Sequence, residues 1–574
     1  MAATQTLKVA RFSPLRNDIV LIGIMGVLAA CGLIYEYLLA HYAGRVIGSV
    51  DSAVYSMIGI MIVAMGIGAF LAKWIKNPYL GFSCLELIIG IFGGSAILLI
   101  ASIIGLSYTL PQELQAIYGI DSTVAMDGGV MAIFKQMAFY TPYVCGFILG
   151  TMIGVEIPLI ARIREDIHQT HLKHNMGTVY GADYIGAGIG AAIWVTVCLK
   201  LDIMVAAIGT ASINILMGLV FLYHYQEKIK QVKLLWALHI LALLFLVVLA
   251  MVGVKMTNGI NATFFKDEVV YTKATPYQHL TVAKRNAGKG LPQIFSLYIN
   301  GRLQFSSNDE MVYHSYLTYP AMLASARHDN ILIIGGGDGL AVRDVLKWSP
   351  DSVTLIDLDK AMIDLFSGKD DKAPEDISEM LLALNQSSFL DERVSVINKD
   401  AFIEIEEMIS KSKKFDTIIV DLPDPSHPDL NKLYSNYFYL RLKELLNGDG
   451  ALVVQSTSPY HAKEAFISIG KSVADAGFTT QQYHANVPTF GEWGWTIATL
   501  HGKNALNRIK EIKTIPIQDR WISKAMMESA FVFSPSFYEN TSHIKVNKLG
   551  SHQLYYYHHD AWAKNEGLFL IQDQ

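Results

Sequence analysis

The stretch NILIIGGGDGLAVRDVL, residues 330–346, decides the fold. Asn330 to Ile334 is a short apolar run rich in β-branched residues, as in a strand buried on both faces. It runs into Gly335-Gly336-Gly337-Asp338-Gly339, where only Asp338 carries a side chain. Leu340 to Leu346 then reads as a helix. A strand, a glycine-rich turn and a helix, in that order, open an α/β unit whose backbone can approach a ligand closely at the strand's carboxyl end. The next apolar run, Ser352 to Ile356, ends in Asp357-Leu358-Asp359. An acid about 20 residues past the glycines can bind two ribose hydroxyls. Asp357 fits that role; the alternative is Asp359 as the ribose partner instead, or Asp359 only caps a helix. Asp338 would repel a pyrophosphate and suits a ligand carrying positive charge.

Working outward, Val394–Ile397, Thr417–Val420 and Ala451–Val454 are further strands with helices between them. The alternation predicts a doubly wound parallel sheet with crossover helices and a ligand at its carboxyl edge. Asp421-Leu-Pro-Asp-Pro425 lies at that edge. Two carboxylates there suit a cationic substrate: one accepts a proton, the other holds an ammonium, and the prolines stiffen the loop. Tyr313 and the aromatic segment Pro488–Trp495 can wall such a site, since aromatic faces attract alkylammonium ions. Upstream the period is two. Val269–Thr272, His279–Ala283 and Phe295–Ile299 read as strands, Asn300-Gly301 as a type I′ hairpin turn, and 309–326 as a helix.

The composition divides the chain. Of 574 residues, 52% are hydrophobic and 17% charged, against about 25% charged in a soluble chain. A wholly soluble protein, a disordered chain and a coiled-coil rod are excluded. The net charge of -5 leaves no basic footprint for nucleic acid. The four cysteines end at Cys198, so neither a disulfide framework nor a cysteine zinc site supports the C-terminal half. Seven apolar segments, 18–40, 52–74, 82–107, 130–161, 180–200, 203–225 and 234–254, are long enough to span a bilayer, and the first reads as a retained anchor. The fourth holds Pro142, Gly146, Gly150, Gly154 and Pro158, which predict a kink or break. Basic residues (Lys8, Arg11 and Arg16; Lys73 and Lys76; Arg162, Arg164 and Lys173; Lys228, Lys230 and Lys233) place the N-terminus inside, and seven crossings then place the soluble half outside. Glu36, Glu86, Lys135, Glu156 and Asp183 lie inside spans. Such residues either bond helix to helix or line a path for a cation. Gly181–Gly190 reads as small-residue helix packing, not as a nucleotide loop.

Together these residues resemble the spermidine synthase (polyamine aminopropyltransferase) family over about residues 264–500. The resemblance is carried by Thr275–Gln278, Gly301–Gln304, Asp309-Glu310 with Tyr313-His314, Gly335–Gly339, Asp357–Asp359, Asp400-Ala401, Asp421–Pro425, Tyr434 with Phe438-Tyr439, and Gln455-Ser456. The apolar half is similar to the membrane domain fused to bacterial relatives. The resemblance implies a polytopic all-α membrane domain at 1–258, an antiparallel β-hairpin unit at 259–325 and a Rossmann-like, methyltransferase-type catalytic domain at 326–574. It implies transfer of the aminopropyl group of decarboxylated S-adenosylmethionine to putrescine or a similar amine, giving spermidine and methylthioadenosine. No cofactor or metal is implied, because the sulfonium is already a good leaving group.

By the same resemblance Gln278, Gly335, Gly337, Asp357, Asp400 and Ala401 hold the nucleoside. Asp338 holds the aminopropyl ammonium and repels the carboxylate of intact S-adenosylmethionine. Asp421 is the general base and Tyr313 orients the amine. Asp424 and Gln304 anchor the amine, and His314 lines the pocket. Two positions depart from the family: Asp357 stands where Glu is usual, and Phe490 stands where many members have Tyr. Glu492 is then a candidate for amine binding. The implied setting is the bacterial inner membrane, with a cytoplasmic catalytic domain, a homo-oligomer and no nucleic acid. A cytoplasmic site conflicts with seven crossings from an inside N-terminus, and a re-entrant segment at 130–161 would resolve the conflict. Two other readings compete: a methyltransferase on a similar sheet, and a polyamine transporter or sensor whose synthase-like domain only binds ligand.

Overall fold

The computed structural model describes residues 13–47, 50–118, 129–169, 174–262, 265, 267–288, 290–500, 502–517 and 519–564; Lys8, Arg11 and Lys173 lie outside them. The chain divides into two compact units, Met1–Lys266 and Asp267–Gln574.

The first unit is helical: α1 (Pro14–Ile47), α2 (Val50–Leu71), α3 (Pro78–Tyr118), α4 (Gly129–Phe139), α5 (Thr141–His168), α6 (Asn175–Thr196), α7 (Ile203–Tyr225) and α8 (Val232–Ala262). Among the described residues seven helices are long and apolar enough to cross a membrane, by length and composition. The segment 130–161 breaks at Tyr140, where Pro142 enters the first turn of α5 and its missing N–H leaves no bond unmade. With 11 residues, α4 is about half a span. Because α5 alone has 28 residues, the break does not lower the number of long helices. Gly186 and Gly190, one turn apart in α6, back onto Gly26 and Ala30 of α1. A Cβ on either would come within 2.1 or 2.5 Å of a backbone oxygen, so only glycine allows this approach. Arg164 of α5 is buried, donates to both carboxylate oxygens of Asp18 at 2.6 and 2.9 Å, and reaches Asn175 at 3.0 Å, which ties α5 to α1 and α6.

The second unit opens with an antiparallel sheet, β1 (Glu268–Ala274), β2 (His279–Asn286), β3 (Gln293–Ile299) and β4 (Arg302–Ser306), paired in that order. Asn300 and Gly301 take φ of 52° and 77°, as the type I′ turn requires. After α9 (Glu310–Ala324) the chain builds the second sheet: β5 (Asn330–Gly335), α10 (Leu340–Leu346), β6 (Ser352–Asp357), α11 (Lys360–Phe366), α12 (Glu375–Leu384), β7 (Val394–Asn398), α13 (Ala401–Ser410), β8 (Phe415–Asp421), α14 (Asn436–Leu445), β9 (Leu446–Gln455), α15 (Lys463–Asp475), β10 (Thr479–Val487) and β11 (Gly491–Thr499). Three short helices follow, α16 (Ala505–Glu511), α17 (Lys524–Ser529) and α18 (Gln553–Lys564).

The strand order is β10-β11-β9-β8-β5-β6-β7. Strands β5 to β9 are parallel, but β11 runs antiparallel to β9, with β10 paired antiparallel outside it. The sheet is therefore mixed, not purely parallel as the helix–strand alternation predicts. A hairpin needs no crossover, and the alternating Tyr483, Ala485, Val487 and Trp493, Trp495, Ile497 are buried together on one face. The chain leaves β5 toward β6 on one side and returns to β8 on the other. This reversal opens a crevice beyond the carboxyl ends of β5 and β8.

Candidate active site

The crevice is built on a close backbone contact. The Gly336 N–H donates to the Asp421 carbonyl oxygen at 3.0 Å, joining the glycine turn to the end of β8. Gly335 has φ 82°, and a Cβ there would sit 2.1 Å from the same oxygen. Glycine is required on both counts. Asp338 accepts from the Leu340 N–H at 2.9 Å at the start of α10. Burial raises its carboxyl pKa; the His314 charge, the Leu340 N–H and Arg343 oppose the rise, and Glu310 adds to it.

The two acids after β6 divide their work. Asp359 caps α11 by accepting from the Ala361 N–H at 3.1 Å, and its other oxygen accepts from Thr275 Oγ1 at 2.9 Å and Gln278 Nε2 at 2.8 Å. Asp357 accepts from the Asp359 N–H at 2.8 Å and lies against Gly337, where a Cβ would be 2.8 Å from its Oδ2. Burial pushes Asp357 up to about 7. Asp400 caps α13 through the Phe402 N–H at 2.9 Å and pairs with Lys432 Nζ at 2.6 Å; Ala401, the first residue of α13, is buried beside it.

Across the crevice, the Tyr313 hydroxyl donates to Asp421 Oδ1 at 2.7 Å. Its ring packs 5.6 Å from Trp495 and 6.3 Å, edge on, from Phe490. Asp309 holds the turn under Phe490 by accepting from the Thr489 N–H and hydroxyl at 2.6 and 2.7 Å. Burial pushes Asp421 up to about 6, opposed by the His314 charge and the Tyr313 hydroxyl and aided by Asp338.

Beneath this pair is a buried ion network. Glu310 accepts from Arg343 Nη1 and Nη2 at 2.7 and 3.0 Å, and His314 Nδ1 lies 2.8 Å from Glu310 Oε2. All three residues are less than a tenth exposed. Burial alone would raise Glu310, but His314 and Arg343 outweigh it and hold Glu310 down to about 2. Burial alone would lower His314, but Glu310, with Asp338 and Asp421, raises it to about 9. His314 is thus an imidazolium at neutral pH.

Asp424 accepts from Gln455 Nε2 at 2.9 Å and Thr457 Oγ1 at 3.3 Å, and faces His558 Nε2 at 3.1 Å. Burial would raise it, but His558, Gln455 and the Arg302 charge bring it below the usual carboxylate range. His558 comes from α18, 134 residues away in the chain, and is 1% exposed. The run Tyr555-Tyr-Tyr-His-His559 is its sole sequence signal, and no spacing rule links it to Asp424.

The structure therefore brings Tyr313, His314, Gly335, Gly337, Asp338, Asp357 and Asp421 together around one crevice. Gln304 donates to the Arg302 and Leu303 carbonyls at 3.3 and 3.5 Å. Glu492 pairs with His484, and it alternates with Trp493 and Trp495, so it lies on the sheet face opposite to Tyr313. Sequence reasoning did not find His558, Arg343 or the use of Glu310.

Residues 310–510 match the family model described as "Spermine/spermidine synthase domain". The chain is 53% identical to the polyamine aminopropyltransferase of Shewanella oneidensis over 97% of each chain. It is 29% identical to that of Leptospira interrogans over 94% of this chain and 97% of the relative, and 32% identical to polyamine aminopropyltransferase 1 of Streptomyces coelicolor over 82% of each. The similarity thus extends through the helical unit. Among solved structures, the chain is similar to spermidine synthase in complex with the transition state analogue AdoDATO, with a TM-score of 0.40 and 22% identity over 48% of this chain and 88% of that one.

Replacing Glu310 by Gln leaves His314 buried without its ion-pair partner and Arg343 with Asp344 alone. We expect a loss of about 3–5 kcal/mol, read as a lower denaturant midpoint of the solubilised protein at unchanged helix content.

Proposed function

The chain belongs to the spermine/spermidine synthase family, the polyamine aminopropyltransferases, and on that premise we propose how its residues transfer an aminopropyl group from decarboxylated S-adenosylmethionine to a diamine of the putrescine type. The observation that carries the reading is the Tyr313–Asp421 hydrogen bond at the mouth of the glycine turn. Asp357 accepts from the ribose hydroxyls, with Gln278, Asp400 and Ala401 lining the nucleoside's side of the crevice. Asp338 receives the aminopropyl ammonium. It would repel the carboxylate of intact S-adenosylmethionine, which argues against methyl transfer. Asp424, with Gln304 as a further candidate, anchors the far ammonium of the acceptor.

An alkylamine with a pKa near 10 is almost wholly protonated at pH 7. Asp421 takes a proton from the attacking nitrogen while Tyr313 fixes the carboxylate's orientation. The nitrogen lone pair then attacks the carbon next to sulfur; the new C–N bond forms as the C–S bond breaks, and the electron pair leaves on methylthioadenosine. Alignment of nitrogen, carbon and sulfur supplies much of the acceleration.

Asp421 must be ionised to act. Its pKa is raised to about 6, so methylthioadenosine release falls as pH drops through about 6. Asp421→Asn should retain nucleoside binding and lose about 10²–10⁴ in turnover. Full activity in that variant removes Asp421 from the base role. Tyr313→Phe removes a hydrogen bond that lowers the Asp421 pKa, so the acid limb moves to higher pH.

His558 acts as a positioning residue for Asp424. His558→Ala should raise the amine KM about tenfold, from one charge-assisted hydrogen bond, with kcat within a few-fold. His558→Asn, which keeps an N–H donor, should restore part of it. An unchanged KM refutes the role.

We also place the helical unit in a bacterial inner membrane and the synthase unit on its cytoplasmic face, where a nucleoside cosubstrate is made. The seven long helices among the described residues then leave the N-terminus outside, against the inside placement that the basic residues predict. A phosphatase reporter fused after Gln574 should be inactive and one fused before Met1 active in the periplasm; the reverse pattern overturns this orientation.

A further inference from the structure

Inside the helical unit, polar side chains of three helices meet away from water. Glu86 of α3 is 0% exposed, and its Oε2 accepts from Asn214 Nδ2 of α7 at 2.9 Å. Its Oε1 has no partner, and neither has Asn214 Oδ1. His239 of α8 is also 0% exposed and sets Nδ1 2.9 Å from the Leu235 carbonyl oxygen. A carbonyl only accepts, so Nδ1 carries the proton and Nε2 presents a lone pair. That Nε2 is unpartnered too. The groups converge because position 218 of α7, one turn past Asn214, is glycine: a Cβ there would lie 2.5 Å from His239 Nε2 and 3.4 Å from Glu86 Cβ. Ser83, one turn before Glu86 and equally buried, adds an unpartnered hydroxyl.

The inventory is one-sided. Oε1, Oδ1 and Nε2 are three acceptors; the hydroxyls of Ser83 and of Tyr35, which lies within electrostatic reach of Glu86, are donors without a partner among the described residues, and neither carries a charge. Buried polar groups in folded proteins are almost always satisfied, and a carboxylate in an apolar bundle calls for a counter-charge. No lysine or arginine acts on Glu86 or on Glu156 of α5 among the described residues. Instead Glu156, 2% exposed, lies within electrostatic reach of Glu86 and Asp183, so the surroundings add negative charge. What complements this set is one positive charge bearing several N–H donors.

We propose that Glu86, Asn214 and His239 form a binding site within the helical unit for a primary alkylammonium group, such as the end of a diamine. An –NH3+ group brings three donors and one charge, matching three acceptors of which one is a carboxylate. A bare alkali cation prefers oxygen ligands and would leave the imidazole nitrogen unused. The inference does not rest on the catalytic assignments in the other unit.

The test is equilibrium dialysis of the detergent-solubilised full chain against radiolabelled putrescine, with methylthioadenosine present and turnover measured on the same samples. Glu86→Gln and His239→Ala should each remove one equivalent of bound putrescine, a loss of at least tenfold in affinity at that site, while transfer kinetics stay within twofold. Methylammonium should displace the same equivalent from the unmutated protein, and sodium at equal concentration should not. The displacement experiment needs no variant, so a poorly folding mutant does not protect the idea. Undiminished binding in both variants, or equal displacement by sodium, overturns it.

Discussion

The buried Arg343–Glu310–His314 network is the constraint on which the site depends. Glu310 and His314 sit one turn apart in α9, and Arg343 comes from α10, the helix that leaves the glycine turn. Their pairing fixes α9 against α10 and so sets Tyr313 opposite Asp421. Buried ion networks contribute little net stability compared with apolar packing of the same volume, but breaking one is expensive. They suit the fixing of register. The network also sets the local field. His314 is a cation beneath two acids, Asp338 and Asp421, and its charge opposes the effect of burial on both. One imidazolium is shared between two carboxylates in a crevice that remains acidic, and such a crevice attracts cations.

The close approach of Gly335 to the Asp421 carbonyl follows from local sequence. A Gly-rich turn after a buried strand reads directly as backbone that something must approach, and here that something includes the neighbouring strand end as well as any ligand. The residues at strand ends, Asp357 and Asp421, were legible for the same reason: the apolar run stops and an acid follows. The Asn300-Gly301 hairpin was legible because two positive φ angles in succession demand those residues. What failed to show depends on long-range pairing. The strands β10 and β11 alternate correctly, but the aromatic content of 488–495 reads equally well as a pocket wall. His558 reaches Asp424 from the chain's last described helix, and no local pattern encodes that distance. Glu492 illustrates the converse. Its neighbours suggest the crevice, but strand alternation turns it to the other face toward His484.

The helical unit divides along the same line. Gly186 and Gly190 announce a packing face by their spacing alone, and Pro142 announces the break before α5. The charges inside the spans were visible, but their partners were not, because helical periodicity assigns a face without naming the helix opposite. Only the fold shows that Asn214 meets Glu86, and that glycine at 218 lets His239 approach.

In the mechanism proposed above, with Asp421 as the base, the energetics of proton transfer show what its burial contributes. A proton must pass from an alkylammonium to the carboxylate before nitrogen can attack. For an amine with the pKa of lysine, an aspartate at its ordinary value makes that transfer unfavourable by about 9 kcal/mol. With Asp421 raised to about 6, the same transfer is unfavourable by about 6 kcal/mol. Too large a rise would protonate Asp421 at neutral pH and remove the base altogether. Burial supplies the rise, while His314 and the Tyr313 hydroxyl limit it. In that mechanism, desolvation of an ammonium held against Tyr313 and Phe490 pushes its own pKa down, while the acids of the crevice push it up. The proposed mechanism therefore has the aromatic walls act on the amine and the ion network on the base of one proton transfer.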